Sequence, residues 1–130
     1  MNTNDLQKYS DAWNAYDIDE IMTYMSEDCV FEIGGGSEKY GTRCQGQETV
    51  RKRFIDVWTD LPDVHFEGIN HFVQDEHGCS EWTFTDTRSD GTKTETETET
   101  ETGTEIEGCD LFTFEAGKIK SKRSYVKNRA

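Results

Sequence analysis

Residues 107–125 read EGCDLFTFEAGKIKSKRSY, two strand-forming runs joined at EAGK. Alternation puts Asp110, Phe112 and Phe114 on one face of the first run, with Cys109, Leu111 and Thr113 on the other. Gly117 suits the left-handed position of a three-residue hairpin loop, and the second strand follows over 119–126. A carboxylate among aromatic rings is costly to bury in its ionised form. Asp110 should therefore either find a cationic partner or hold its proton. If Phe114 faces Lys118 across the turn, Lys122 falls opposite Asp110; a one-residue change puts Arg123 there instead.

Everything after Pro62 reads as β. VHFEGINHFVQ (64–74) meets the turn DEHG and continues as CSEWTFTDT (79–87), where Trp82, Phe84 and Asp86 share a face. A one-residue shift in that turn would reverse which way they point. Between this run and Asp110 lies TETETETETGTE (94–105). Its period of two is a strand pattern, yet glutamates at i and i+2 stack like charges about 7 Å apart along one face. If Trp82 pairs near Asp110, the middle of the hairpin falls inside the repeat. Residues 94–103 are then an insertion that lengthens an acidic hairpin tip, a kind of change that costs little stability.

The first half is mostly helical. Thr3-Asn4-Asp5 offer capping side chains, and Leu6, Tyr9, Trp13 and Tyr16 follow at spacings of three and four. A short second helix carries Ile18, Ile21, Met22 and Met25 on its buried side. CVFEI (29–33) is a strand with Phe31 and Ile33 on one face and Val30 and Glu32 on the other, and GGGSEKYG (34–41) reads as a loop. After Gly46, the spacing of Val50, Phe54, Val57, Trp58 and Leu61 predicts a third helix, closed by Pro62. Helices followed by a meander predict one α+β domain over residues 1–130, with the helices on one face of a curved antiparallel sheet.

Composition narrows the function. The net charge is −13, and the chain stays strongly acidic without the four glutamates of residues 94–103. Nucleic acid and anionic membranes are therefore not expected as partners, since each calls for a basic face. MNTNDLQKY lacks the basic and apolar segments of a secretory signal, no apolar run is long enough to span a membrane, and Cys29, Cys44, Cys79 and Cys109 show no paired spacing. A cytoplasmic protein with reduced, mostly buried thiols is expected. His65, His71 and His77 would lie roughly 20 Å apart along extended chain, so no metal site is expected. The glycine loop has neither phosphate-binding pattern, and no cofactor is expected.

The segments QKYSDAWNAYDIDEIMTYMSEDCVFE, GQETVRKRF and EGCDLFTFEAGKIKSKRSY together resemble the nuclear transport factor 2-like superfamily. Within it the chain is similar to the SnoaL-like polyketide cyclases and ketosteroid isomerases. The resemblance implies a cone-shaped fold, a curved sheet wrapped around helices, an apolar pocket at the wide end, and often a homodimer. It implies a pocket lined by Trp13, Tyr16, Phe31, Ile33, Phe54 and Trp58, with Trp82, Phe84, Phe112 and Phe114 from the late strands. In the isomerases a helix-1 tyrosine and a protonated aspartic acid hold a dienolate oxygen; Tyr9 and Asp110 match these two. The apolar site of those enzymes keeps the carboxylic acid neutral, so that it can donate a hydrogen bond. The family's base position falls on Ile33, which cannot carry a proton, with Glu32 next to it on the opposite face. Proton transfer would then come from Asp86, Lys122 or a displaced Glu32. The resemblance implies an isomerase- or cyclase-type enzyme acting on a small, mostly apolar carbonyl compound, or a noncatalytic ligand-binding or dimerisation module of the same fold.

Overall fold

The computed structural model describes residues 1–86 and 104–127. The elements run α1 (Thr3–Asn14), α2 (Ile18–Thr23), β1 (Met25–Glu38), β2 (Gly41–Gln45), α3 (Gln47–Asp60), β3 (His65–Gln74), β4 (His77–Asp86), β5 (Thr104–Glu115) and β6 (Lys118–Val126). One sheet takes them in the order β2-β1-β6-β5-β4-β3. Neighbours are antiparallel except β1 and β6, which run parallel. The three helices cover one face of this curved sheet, giving the expected α+β cone. Most of the Thr/Glu repeat, with the tip insertion expected at 94–103, lies outside the described residues. The strands flanking it pair as far as Asp86 with Thr104.

Helix α1 is capped by Asn2, one position before the expected Thr3-Asn4-Asp5 group. Asp5 serves from inside the helix as the reciprocal half of a capping box. Leu6, Tyr9, Ala12 and Trp13 form its buried stripe. Asn14 then ties the helix end to β3, donating to Phe66 O at 2.9 Å and accepting from Phe66 N at 2.8 Å. Of the expected thiols only Cys29 is fully buried; Cys44, Cys79 and Cys109 are partly exposed, and all four are free.

Three local expectations change. Met25, expected on α2, opens β1, because α2 ends two residues earlier. The glycine-rich stretch, expected as a loop, is largely strand: β1 continues through Gly34–Gly36 and folds back at Lys39–Tyr40 into β2. Gly41 makes this possible, since with φ at +81° a Cβ would stand only 2.0 Å from Ile33 O. Glycine's weak strand propensity hides such a ribbon from sequence reading.

The EAGK turn has two residues rather than three, with Glu115 paired to Lys118 and both Ala116 (φ 54°) and Gly117 (φ 78°) left-handed. An alanine in that region is strained, by about 1 kcal/mol or more. Ala116→Gly is therefore expected to raise stability by about 0.5 kcal/mol, read as a higher denaturation midpoint with an unchanged slope. A lowered midpoint would contradict the turn.

A bulge completes the register. Thr113 pairs Ser121 while Phe114 pairs Ile119, so Lys120 is the extra residue on β6. Asp110 consequently faces Ser124, neither Lys122 nor Arg123, and Lys122 faces Phe112.

Candidate active site

A cavity of about 250 Å³ lies between the inner face of the sheet, α1 and the end of α3. Its walls are apolar, and its polar groups are Tyr9, Ser10, Ser80, Asp110, Lys122 and Ser124. Each arrives by strand or helix periodicity. Ser80, Trp82 and Phe84 alternate along β4, Asp110 and Phe112 along β5, Lys122 and Ser124 along β6.

Lys122 is the centre of this group and is only 6% exposed. Its Nζ stands over the rings of Trp13 (4.5 Å), Tyr9 (5.0 Å), Phe54 (5.1 Å) and Phe31 (5.7 Å), a nearly complete aromatic box. It donates to the Tyr9 hydroxyl oxygen at 3.3 Å and lies 3.8 Å from Asp110 Oδ2. Burial is the largest influence and disfavours the charge, but Asp110 and the Tyr9 oxygen outweigh it. The ammonium is thus held above its ordinary pKa.

Asp110 sits diagonally across the β5–β6 pair from Lys122. Trp82 Nε1–H donates to its Oδ2 at 3.0 Å and Ser124 Oγ–H to its Oδ1 at 2.5 Å. Trp82 can lie this close because Gly108, its partner on β5, has no Cβ; one there would stand 2.6 Å from the indole ring. Tyr9 gives its own proton to Met25 Sδ at 3.6 Å, a weak acceptor. Burial pushes this phenol up, and the Lys122 charge and the nearby Trp13 indole offset only part of that. Trp13 Nε1–H is itself buried with no hydrogen-bond acceptor among the described residues. One donor beside the cluster, the Trp13 indole, is therefore unused.

The other expected residues divide. Trp13, Phe31, Ile33, Trp82, Phe84 and Phe112 line the cavity. Trp82 and Phe84 face inward because β3 and β4 join through a two-residue turn, Gln74 pairing His77. Phe54 is buried beneath the cavity against Trp13 and Phe31, and Trp58 packs behind Trp13. Phe114 is buried farther along β5 beside Gly78. Tyr16 is 43% exposed and donates to Val64 O at 2.8 Å.

Glu32 points to the opposite face of β1, where Arg43 bonds it at 2.8 Å while resting on the Tyr40 ring. Asp86 is buried at the end of β4, beyond the cavity and near Tyr16. Neither reaches the Lys122 group.

Sequence reading missed Ser124 and Trp82 as the partners of Asp110, and missed Ser80. Alternation on β4 already placed Ser80 on the face of Trp82, which was the available signal. No cluster of His, Cys, Asp or Glu among the described residues could hold a metal ion, and no helix among them is long and apolar enough to cross a membrane.

This geometry meets known proteins at the level of family and fold. The SnoaL-like domain model matches residues 6–122. Among solved structures, a candidate polyketide cyclase from Xanthomonas campestris pv. campestris superposes with a TM-score of 0.75 at 17% identity, covering 96% of this chain and 89% of that one. TerC, co-crystallised with polyporic acid, gives 0.75 at 17% identity, covering 94% and 88%. A Catenulispora acidiphila DSM 44928 protein with a ketosteroid isomerase-like fold, in complex with trimethylamine, gives 0.73 at 13% identity, covering 92% and 82%. No functionally curated protein matches the chain. At these identities the solved structures establish the fold alone. The family match spans nearly the whole chain, which belongs to the SnoaL-like domain family.

Proposed function

We propose that the cavity binds a small, mostly apolar carbonyl compound and stabilises its enolate without a cofactor, as an isomerase- or cyclase-type enzyme. One observation carries this reading: a buried ammonium, Lys122, stands beside a phenolic donor, Tyr9, inside an otherwise apolar cavity. Such preorganised donors stabilise charge that develops on oxygen far more than water-exposed groups do. The surplus donor on Trp13 and the weak sulfur acceptor of Tyr9 leave protons available for a substrate oxygen.

In this reading Asp110 works as the carboxylate that holds Lys122. Lys122 takes over the donor role that the resemblance gives to Asp110. Of the three residues expected to move protons, Lys122 alone lines the cavity, and as an ammonium it can return a proton to the enolate. The homodimer implied by the resemblance belongs to the same proposal; light scattering that gives a single chain mass at working concentration would remove it.

Substituted phenols mimic the enolate and test the site. Affinity is expected to rise as the phenol becomes more acidic, with the bound form absorbing as phenolate. Tyr9→Phe should weaken it about tenfold, the loss of one charge-assisted hydrogen bond. The double variant Lys122→Met/Asp110→Asn, which keeps the charge balance, should abolish the preference for acidic phenols. Binding that ignores phenol acidity would sink the proposal.

The ion pair between Lys122 and Asp110 favours a second reading, in which the cavity binds a ligand and performs no chemistry. Tight phenolate binding with no exchange of the α-protons of small ketones in D2O would select it.

A further inference from the structure

One hydrogen-bonded chain reaches the cavity from the protein surface by a route separate from the Lys122 contacts. Asp11 Oδ1 accepts from Gln7 Nε2 at 2.9 Å, Gln7 Oε1 lies 3.0 Å from His71 Nε2, and His71 Nδ1 lies 2.7 Å from Ser80 Oγ. Each contact fixes the direction of the next. Because the Gln7 amide nitrogen is committed to the Asp11 carboxylate, its oxygen is the atom that meets His71. A lone pair cannot face that oxygen, so Nε2 of the neutral imidazole carries the proton. Nδ1 is then left with its lone pair toward Ser80, and Ser80 must donate.

Ser80, whose hydroxyl is so held, is only 3% exposed to solvent and lines the cavity. It sits directly across the β4–β5 pair from Asp110, and the Lys122 ammonium lies 3.8 Å from that carboxylate. Facing residues on paired strands have Cβ atoms about 5 Å apart. A hydroxyl within hydrogen-bond reach of a base, with the base oriented by a third group, is the arrangement that activates a serine nucleophile. The cation that such chemistry needs for its oxyanion lines the same cavity.

We propose that Ser80, His71 and Gln7 form a nucleophilic site that transfers acyl groups from small esters or thioesters with apolar acyl chains. Ser80 Oγ bonds to the acyl carbonyl carbon while its proton passes to His71 Nδ1. The carbonyl oxygen takes the negative charge beside Lys122. The bond to the leaving oxygen or sulfur then breaks, and that atom takes the proton from His71. Water reverses the sequence: its oxygen bonds to the acyl carbon, its proton moves through His71 to Ser80, and the Ser80–acyl bond breaks.

Gln7 is a positioning residue, since it fixes the His71 tautomer and touches no substrate. Burial holds the imidazole below its usual pKa, against the pull of the Asp11 charge, which keeps it neutral and able to accept. The apolar faces of Trp82, Phe66, Ile69 and Phe112 suit an apolar acyl chain. This activity uses the cavity but does not require the enolate reading, and phenol binding and serine acylation are separate readouts.

The test uses p-nitrophenyl acetate, with peptide mass mapping to separate Ser80 from background acylation of surface lysines. One acetyl group is expected on Ser80. Ser80→Ala should lose that adduct with release of p-nitrophenolate reduced to background, whereas Ser80→Cys should be acylated at the same position. His71→Asn is expected to slow acylation about 100-fold, the usual contribution of a positioned base. Should that variant fail to fold, Gln7→Leu at the surface leaves the packing intact and should slow acylation several-fold. As a second readout, 15N NMR of the His71 ring should show the proton on Nε2. An unmodified Ser80 with ester loss equal in wild type and Ser80→Ala would overturn the proposal, leaving His71 as a strap between α1 and β3. A proton found on Nδ1 would overturn it as well.

Discussion

Lys122→Met is expected to destabilise the fold by about 3–5 kcal/mol, because it leaves the Asp110 carboxylate buried without its countercharge. Asp110 and Lys122 are 7% and 6% exposed, so water cannot take over the lost interaction. The methionine matches the stem in length, which confines the effect to charge. Asp110→Asn is expected to cost less: the amide oxygen can still accept from Trp82 Nε1–H, the Ser124 hydroxyl can turn to accept from the amide nitrogen, and the ammonium keeps its four rings. The double variant should recover much of the loss, since replacing a buried ion pair by neutral groups of similar volume is often close to neutral. Urea denaturation of the four proteins gives the coupling between the two residues. A loss in the double variant equal to the sum of the two single losses would mean that the pair contributes nothing. The raised pKa of Lys122 sets the pH window. Its contribution is complete below the ordinary lysine value of 10.5 and is lost only as pH climbs through the higher folded value.

Phe54→Ala should be as damaging for a different reason. Phe54 is fully buried on α3, with ring centroids 5.0 Å from Trp13 and 4.9 Å from Phe31. Removing it forfeits the transfer free energy of the ring and leaves a void under the Lys122 box, together about 3–5 kcal/mol. For a domain of this size that corresponds to a fall in melting temperature of roughly 10–20 °C. Phe54→Leu, which refills most of the space, should cost about half as much. Calorimetry on the two variants checks both values. A fall of only a few degrees in the alanine variant would mean that the box does not rest on this ring.

Much of the architecture was legible because hydrophobic spacing dictates it. The stripe on α1, the repeat on α3 and the alternation in β4 and β5 each bury one face, and the core they predict is largely the core observed. The site was legible in part. Lys122 was expected beside Asp110 through direct pairing, yet the tight turn at Ala116–Gly117 and the bulge at Lys120 each shift the register by one residue. Two such shifts restore the parity that one would reverse, so Lys122 stays on the Asp110 face and meets it diagonally. That agreement of faces came from a cancellation, and no local pattern foretold it.

What remained hidden depended on contacts between distant segments. The ring box draws on α1, β1 and α3, and no single segment indicates that a lysine will fill it. His71 gave only its spacing from two other histidines. Its neighbours, Gln7 and Ser80, are separated from it by 64 and 9 positions. Glycine concealed the β1–β2 ribbon, since the freedom that lets Gly41 turn there also lowers the strand signal.

The parallel pairing of β1 with β6 has a consequence for how the protein is made. Phe31 pairs with Lys122, and Met25 with Ile119, so the seam joins stretches of chain that leave the ribosome far apart in time. Helices and local hairpins form within microseconds of emerging, whereas a contact over such a separation must wait for the later partner. Until then the Trp13, Phe31 and Phe54 rings have no lysine to enclose and offer a sticky surface to the cell. Apolar surface therefore stays uncovered until the last strand arrives, and the cavity is among the last parts to close.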